Sequence, residues 1–272
     1  MRSRYALVCL LLLSFAAGAA APRWEEPPEW AAEFASRAVD GTMVVYDESA
    51  DRYQVFGRAR AETRLSPAST FKLFNALVAL DSGAVKDEYE VIRWDGVQHS
   101  IADWNRDHSL ASGMKFSALW FYQEMARRAG AARMQQWIDK VGYGNRDIGG
   151  GIDQFWLGGK LRISAVEQVA FLRRLATGTL PFSPRAQETV RRIAIVESAP
   201  DYVIHAKTGW ARKSDIGRTD DLGWYVGWVE RGGRRWFFAL NIDMPRGWQD
   251  AAQRTAIARA VLVRAGALPA GA

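Results

Sequence analysis

The chain has 272 residues, 49% of them hydrophobic and 24% charged, with a formal net charge of +6. That is the balance of an ordinary globule: it excludes disordered, collagenous and coiled-coil architectures, and the length suits one or two domains of about 100–200 residues with a large core. The arginines are scattered singly or in pairs such as Arg127-Arg128 and Arg173-Arg174, without a basic stripe, so no nucleic-acid partner is expected.

Arg2 and Arg4 precede an apolar run from Ala6 to Phe15 and then small residues through Ala21. This is the pattern of a secretory signal peptide over residues 1–20, cleaved near Ala19 to Ala21, and implies a periplasmic protein. The run is shorter than the roughly 20 residues a bilayer requires, and no later stretch is longer, so no stable membrane anchor is expected. The leader takes Arg2 and Arg4 and no acids: 36 basic residues less these two leave 34 against 30 acids, or +4. It also takes Cys9, the only cysteine, so the mature chain is expected to be disulfide-free and held by its core.

Residues 21–272 read as one unit, with 21–65 and 198–272 carrying the sheet and 66–197 mainly helical. Residues 42–46 and 52–56 alternate as two strands around a polar Asp-Glu-Ser-Ala-Asp turn, a hairpin. Helical periods follow over 71–80, 118–129, 131–141, 165–176 and 186–196. Strands return at 203–206, 223–230 and 235–243, the last two joined by Arg231-Gly232-Gly233-Arg234 and therefore antiparallel. A helix over about 249–265 ends near Gly266 and Pro269. The order predicts an α/β fold of the α+β type: a mainly antiparallel sheet from both chain ends, flanked by helices, with an inserted helical subdomain.

Three histidines, His99, His108 and His205, lie far apart with no i,i+4 pair, so no metal site is expected. There is no G-x-S-x-G elbow, P-loop or dinucleotide turn, and Gly149-Gly150-Gly151 reads as a loop.

The chemistry concentrates in residues 66–80. Ser66 as cap and Pro67 as first helical residue start a helix, which puts Ser69 in its first turn. First-turn N–H groups lack intrahelical partners and can stabilise an oxyanion on an acylated serine. Lys72 follows by three residues on the same face. Leu73, Ala76, Leu77 and Leu80 continue that face while Phe71, Phe74 and Val78 make the other apolar, so the helix should be buried. Lys72, the only ionisable group from Ser69 to Leu80, must snorkel out or lose its charge, and a neutral lysine is a base or nucleophile.

The spacing alone is unspecific, because Ser112-Gly113-Met114-Lys115 shares it in a polar, glycine-containing loop. A second motif, Lys207-Thr208-Gly209, is expected just after strand 203–206 and offers a cation, a hydroxyl and a glycine that lets a ligand approach the backbone. Alone it would be a turn at a strand end. With Ser69, Lys72 and the intervening Ser117 it makes a serine acyl-transfer constellation whose base is lysine.

Pro67-Ala68-Ser69-Thr70-Phe71-Lys72, Ser117-Ala118-Leu119, Tyr143-Gly144-Asn145, Phe155-Trp156-Leu157-Gly158 and Lys207-Thr208-Gly209-Trp210 resemble the ordered motifs of class D (oxacillinase-type) serine β-lactamases, over nearly the whole mature chain. The resemblance implies the serine β-lactamase and penicillin-binding transpeptidase type of fold, with β-lactams as small-molecule substrates. It implies Ser69 as nucleophile and Lys72 as an N6-carboxylysine general base, formed from CO2 or bicarbonate with no other cofactor. Trp156 would donate its indole N–H to that carbamate, Ser117 would relay a proton to the leaving nitrogen, and backbone N–H groups of Ser69 and Trp210 would form the oxyanion hole. Lys207, Thr208, Gly209 and Arg254 would bind the substrate, and Leu119 stands where the family usually has valine. Arg254 also heads a helical stripe with Ile257, Val261, Ala265 and Leu268; its competing reading is an exposed pair with Asp250. A D,D-peptidase and a penicillin-sensing domain share the S-x-x-K and K-T-G motifs; Trp156 and the apolar surroundings of Lys72 favour hydrolysis.

Overall fold

A computed structural model describes residues 23–271, and the expected signal peptide lies outside the described residues. In chain order the elements are β1 (Arg23–Glu25), α1 (Ala31–Ala35), β2 (Gly41–Asp47), β3 (Arg52–Phe56), α2 (Arg58–Glu62), a 3₁₀ turn (Ala68–Phe71) and α3 (Lys72–Asp81). The helical section continues with α4 (Leu110–Lys115), α5 (Leu119–Ala129), α6 (Ala131–Val141), α7 (Ala165–Ala176) and α8 (Pro184–Ile193). The chain then returns to the sheet through β4 (Ile195–Ser198), β5 (Tyr202–Ala211), α9 (Lys213–Ile216), β6 (Asp221–Arg231) and β7 (Arg234–Met244), and ends in α10 (Ala251–Arg264).

One seven-stranded sheet joins the two chain ends in the order β1-β3-β2-β7-β6-β5-β4. All pairs are antiparallel except β1 with β3. The junction of the ends is β2 on β7, with Val44 opposite Ala239. Side chains alternate across a strand, and here both faces are covered: Phe237 and Ala239 enter the core shared with α3, α5 and α7, whereas Phe238 and Leu240 enter the core shared with α1 and α10. This two-sided burial explains the unbroken apolar stretches Trp224–Val229 of β6 and Trp236–Leu240 of β7, glycine included.

Residues 112–115, expected in a loop, lie in helix α4 because Ser109 and Ser112 cap its start reciprocally, and two expected boundaries move by three residues or more. The helix expected over 186–196 stops at Ile193, and residues from Ile195 form edge strand β4, paired with His205 and its neighbours on β5. The β-branched Ile195 and Val196 suit a strand better than a helix, and the pairing offered by β5 decides the matter. The strand expected over 203–206 extends to Ala211 because its pairing with β6 continues to Ala211 opposite Leu222. Lys207-Thr208-Gly209 therefore lies inside β5, not after it.

Candidate active site

The turn carrying Ser69 is built by long-range bonds. Ser66 was expected to cap the helix; its hydroxyl instead donates to the carbonyls of Trp156 (3.1 Å) and Leu157 (2.7 Å). The Ala68 N–H donates to the Trp156 carbonyl at 3.0 Å, and the Trp224 indole donates to the Ser66 carbonyl at 2.8 Å. Gln168 from α7 donates to the Thr70 hydroxyl (2.7 Å), which donates to the Pro67 carbonyl (2.7 Å). Held on three sides, Ala68 occupies the left-handed region at φ +48°, a strained conformation for a residue with a Cβ.

Residues three apart eclipse one another in a 3₁₀ turn, and here that places the Lys72 amine directly on Ser69: Nζ donates to Oγ at 2.8 Å. Lys72 is wholly buried. Burial, and secondly the charge of Lys207, hold its ammonium well below the ordinary lysine range. Trp156 is also wholly buried and stacks on Phe71, with ring centroids 5.4 Å apart. Its indole N–H has no partner among the described residues, a costly state for a buried donor.

Lys207 is buried within β5 and donates to the Thr208 carbonyl (3.1 Å) and hydroxyl (3.4 Å). Burial and then the Arg254 charge push it down to about 7. Arg254 on α10 is buried too, donating to the carbonyls of Gly209 (2.6 Å) and Ala251 (2.8 Å), and desolvation lowers it to about 10. Its stem crosses β6 at Gly223, where a Cβ would lie 2.8 Å from the arginine Cδ. The alternative Asp250 pair does not form: Asp250 bonds Arg246. Gly209 also has a different reason from the one expected. A Cβ there would sit 3.2 Å from both the Pro67 oxygen and Thr70 Cγ2, so glycine lets β5 pack against the Ser69 turn.

A cavity of about 750 Å³ brings together Ser69, Ser117, Leu119, Thr208, Gly209 and Arg254, with Trp210 on its wall. Ser117 sits between α4 and α5 at φ +55°, a second strained non-glycine residue at the site. Lys72 and Trp156 lie outside the lining, and Lys207 borders a neighbouring cavity of about 710 Å³ that meets the first at Thr208. Sequence reasoning missed the rim residues Arg212, Asp215 and Trp248 and the support Gln168, and gave Ser66 a different task. Only position beside a motif could have signalled Arg212.

Residues 41–263 match the family model described as the penicillin binding protein transpeptidase domain. Among curated proteins, beta-lactamase OXA-48 of Klebsiella pneumoniae is 43% identical over 251 residues, covering 92% of this chain and 93% of the relative. Beta-lactamase OXA-2 of Salmonella typhimurium is also 43% identical, over 246 residues, covering 90% and 86%. A solved structure, the class D beta-lactamase FUS-1 (OXA-85) from Fusobacterium nucleatum subsp. polymorphum, superposes with a TM-score of 0.85 at 36% identity, covering 90% of this chain and all of that one. The chain belongs to the class D β-lactamase family. The sheet and the helical section of this class D β-lactamase thus carry the architecture that its motifs imply. No helix among the described residues is long and apolar enough to cross a membrane.

Proposed function

We propose that the protein is exported to the periplasm and hydrolyses β-lactams through an acyl-Ser69 intermediate, with Lys72 as the general base. The observation that carries the reading is the wholly buried Lys72 amine bonded to Ser69 Oγ at 2.8 Å in the absence of any acidic partner among its described hydrogen bonds. Ser69 Oγ attacks the lactam carbonyl carbon and gives its proton to the base. The C–N bond breaks, and Ser117 relays a proton to the leaving nitrogen. A water then attacks the ester carbon, gives up a proton and releases the ring-opened acid and free Ser69. Backbone N–H groups of Ser69 and Trp210 stabilise the oxyanion at both stages, the first because a first-turn N–H has no intrahelical partner. Thr208, Lys207 and Arg254 take the substrate carboxylate, Arg254 by charge-assisted bonds. Leu119 shapes the wall beside Ser69.

The donor chemistry around Lys72 suits a carbamate. A neutral amine adds to CO2, forming an N–C bond and releasing a proton, and the unpartnered Trp156 N–H is a ready donor to the anion. When present, that group supplies an anionic base in place of an amine. Intact-mass spectrometry with a slow substrate and peptide mapping should place the acyl group on the Ser69 peptide, and the adduct should decay with turnover. An adduct on Ser112 refutes the assignment, and a persistent one favours the penicillin-sensing or peptidase reading. In degassed, mildly acidic buffer activity should fall, recovering on addition of bicarbonate; full activity without it, and no carbon-13 carbamate signal, make Lys72 a plain amine base.

A further inference from the structure

Trp248 lies in the 3₁₀ turn Gly247–Asp250 between β7 and α10 and is 62% exposed. Large exposed aromatics are ordinarily disfavoured, but this one is paired: its ring centroid stands 5.2 Å from that of Trp210, tilted by 50°. Both rings line the active-site cavity together with Arg254.

The wall is braced from behind. The Trp210 indole donates to one carboxylate oxygen of the buried Asp221 at 2.8 Å, and the other oxygen accepts the Lys213 backbone N–H at 2.9 Å. Gly247, at φ +59°, takes the left-handed backbone that starts the turn and lies beside Asp221. On the far side the buried Asp250 accepts from the Arg246 backbone N–H (2.9 Å) and Nε (2.7 Å), fixing the same turn. The Trp210 ring and the turn that carries Trp248 are thus held in place at the cavity wall before any ligand arrives, and preorganised elements lose little entropy on binding.

We propose that Trp210 and Trp248 form a subsite for a planar, uncharged substituent carried on the carboxylate-bearing ring of the substrate. The inference rests on the proposed lactam hydrolysis. With the carboxylate on Arg254, which is bonded to the Gly209 carbonyl next to Trp210, the neighbouring ring position faces the aromatic pair. Charge selects a neutral group: Arg212 stands 5.5 Å from the Trp210 ring centroid, and the cavity lining carries two arginines against the single carboxylate of Asp215. A cation meets repulsion there, and an anion competes for Arg254.

The test is steady-state kinetics with two cephalosporins that share one C7 side chain and differ at C3, a styryl group against a methyl group. Trp248→Ala should raise KM for the styryl compound, relative to its effect on the methyl compound, by about three- to tenfold, the range expected for one aromatic contact. Trp248→Phe should restore most of the difference, which a general loosening of the turn would not do. Equal effects on both compounds overturn the subsite while leaving the hydrolysis reading intact. A penicillin run alongside separates the two failures: turnover of the penicillin with no discrimination between the cephalosporins, or with neither of them hydrolysed, overturns the subsite alone, whereas no turnover of any of the three overturns the hydrolysis reading and the subsite with it.

Discussion

The chain contains Ser-x-x-Lys twice, at Ser69–Lys72 and at Ser112–Lys115, and the structure treats the two in opposite ways. At the first, a 3₁₀ turn runs into a buried helix and the lysine amine meets the serine hydroxyl. At the second, the serine sits in the first turn of α4, where it forms a capping box with Ser109: the Ser109 N–H donates to Ser112 Oγ at 2.8 Å. Ser112 Oγ also lies 3.0 Å from His108 Nδ1, and His108 itself is pushed down, chiefly by burial. Lys115 is exposed over the Phe116 ring, 5.5 Å from its centroid. Spacing brings the pair onto one face, but desolvation makes the lysine a base.

The strongest way to break this comparison is to remove each lysine. Lys72→Ala should lower kcat by about 10²–10⁴, the usual share of a general base. Lys115→Ala should leave kcat within about twofold, as expected of a solvated surface group. Steady-state assays on both variants decide it, and equal losses would return both motifs to the same footing.

Lys207 sharpens the contrast between buried and exposed lysines through pH. Its pKa falls from the ordinary 10.5 to about 7 on folding, so between those values the unfolded chain binds the extra proton. Stability should therefore rise with pH across that window, and below pH 7 the buried charge should be most costly. Lys207→Met removes the titrating group: Tm measured from pH 6 to 10 should lose much of this slope, with the largest gain over wild type at the acid end. The hydrogen bonds to Thr208 are lost at all pH values, so the slope is the diagnostic quantity. An unchanged slope would show that Lys207 does not titrate there.

What was legible in the sequence was what is local. The β2–β3 hairpin, α6 and α7 appear within a residue of the positions their periodicity gives, and Ser69, Ser117, Thr208, Gly209 and Arg254 do converge on one cavity. Illegible were bonds between residues far apart in the chain. Ser66 has the position of a cap, yet its hydroxyl serves carbonyls about 90 residues away. Gly223 carries no local turn signal, and its purpose is visible only once Arg254 is seen passing over it. The β4 edge likewise depended on a partner strand that a helical window could not include. Asp221 is a plain acid in sequence and a bracket for Trp210 in space.

The smallest expected effect probes the weaker half of the comparison. Ser112→Ala removes the hydroxyl that accepts from the Ser109 N–H and leaves His108 Nδ1 without that partner. Losing one capping interaction costs about 0.5–2 kcal/mol. For a domain of this size roughly 1 kcal/mol shifts Tm by about 2–4 °C. Calorimetry should show a shift of that order, while kcat and KM remain at wild-type values because Ser112 lies outside the cavity lining. Thr should recover part of the loss by restoring a hydroxyl. A large fall in kcat in Ser112→Ala, with Tm unchanged, would mean that the Ser112–His108 pair takes part in the chemistry, and the distinction drawn between the two motifs would fail.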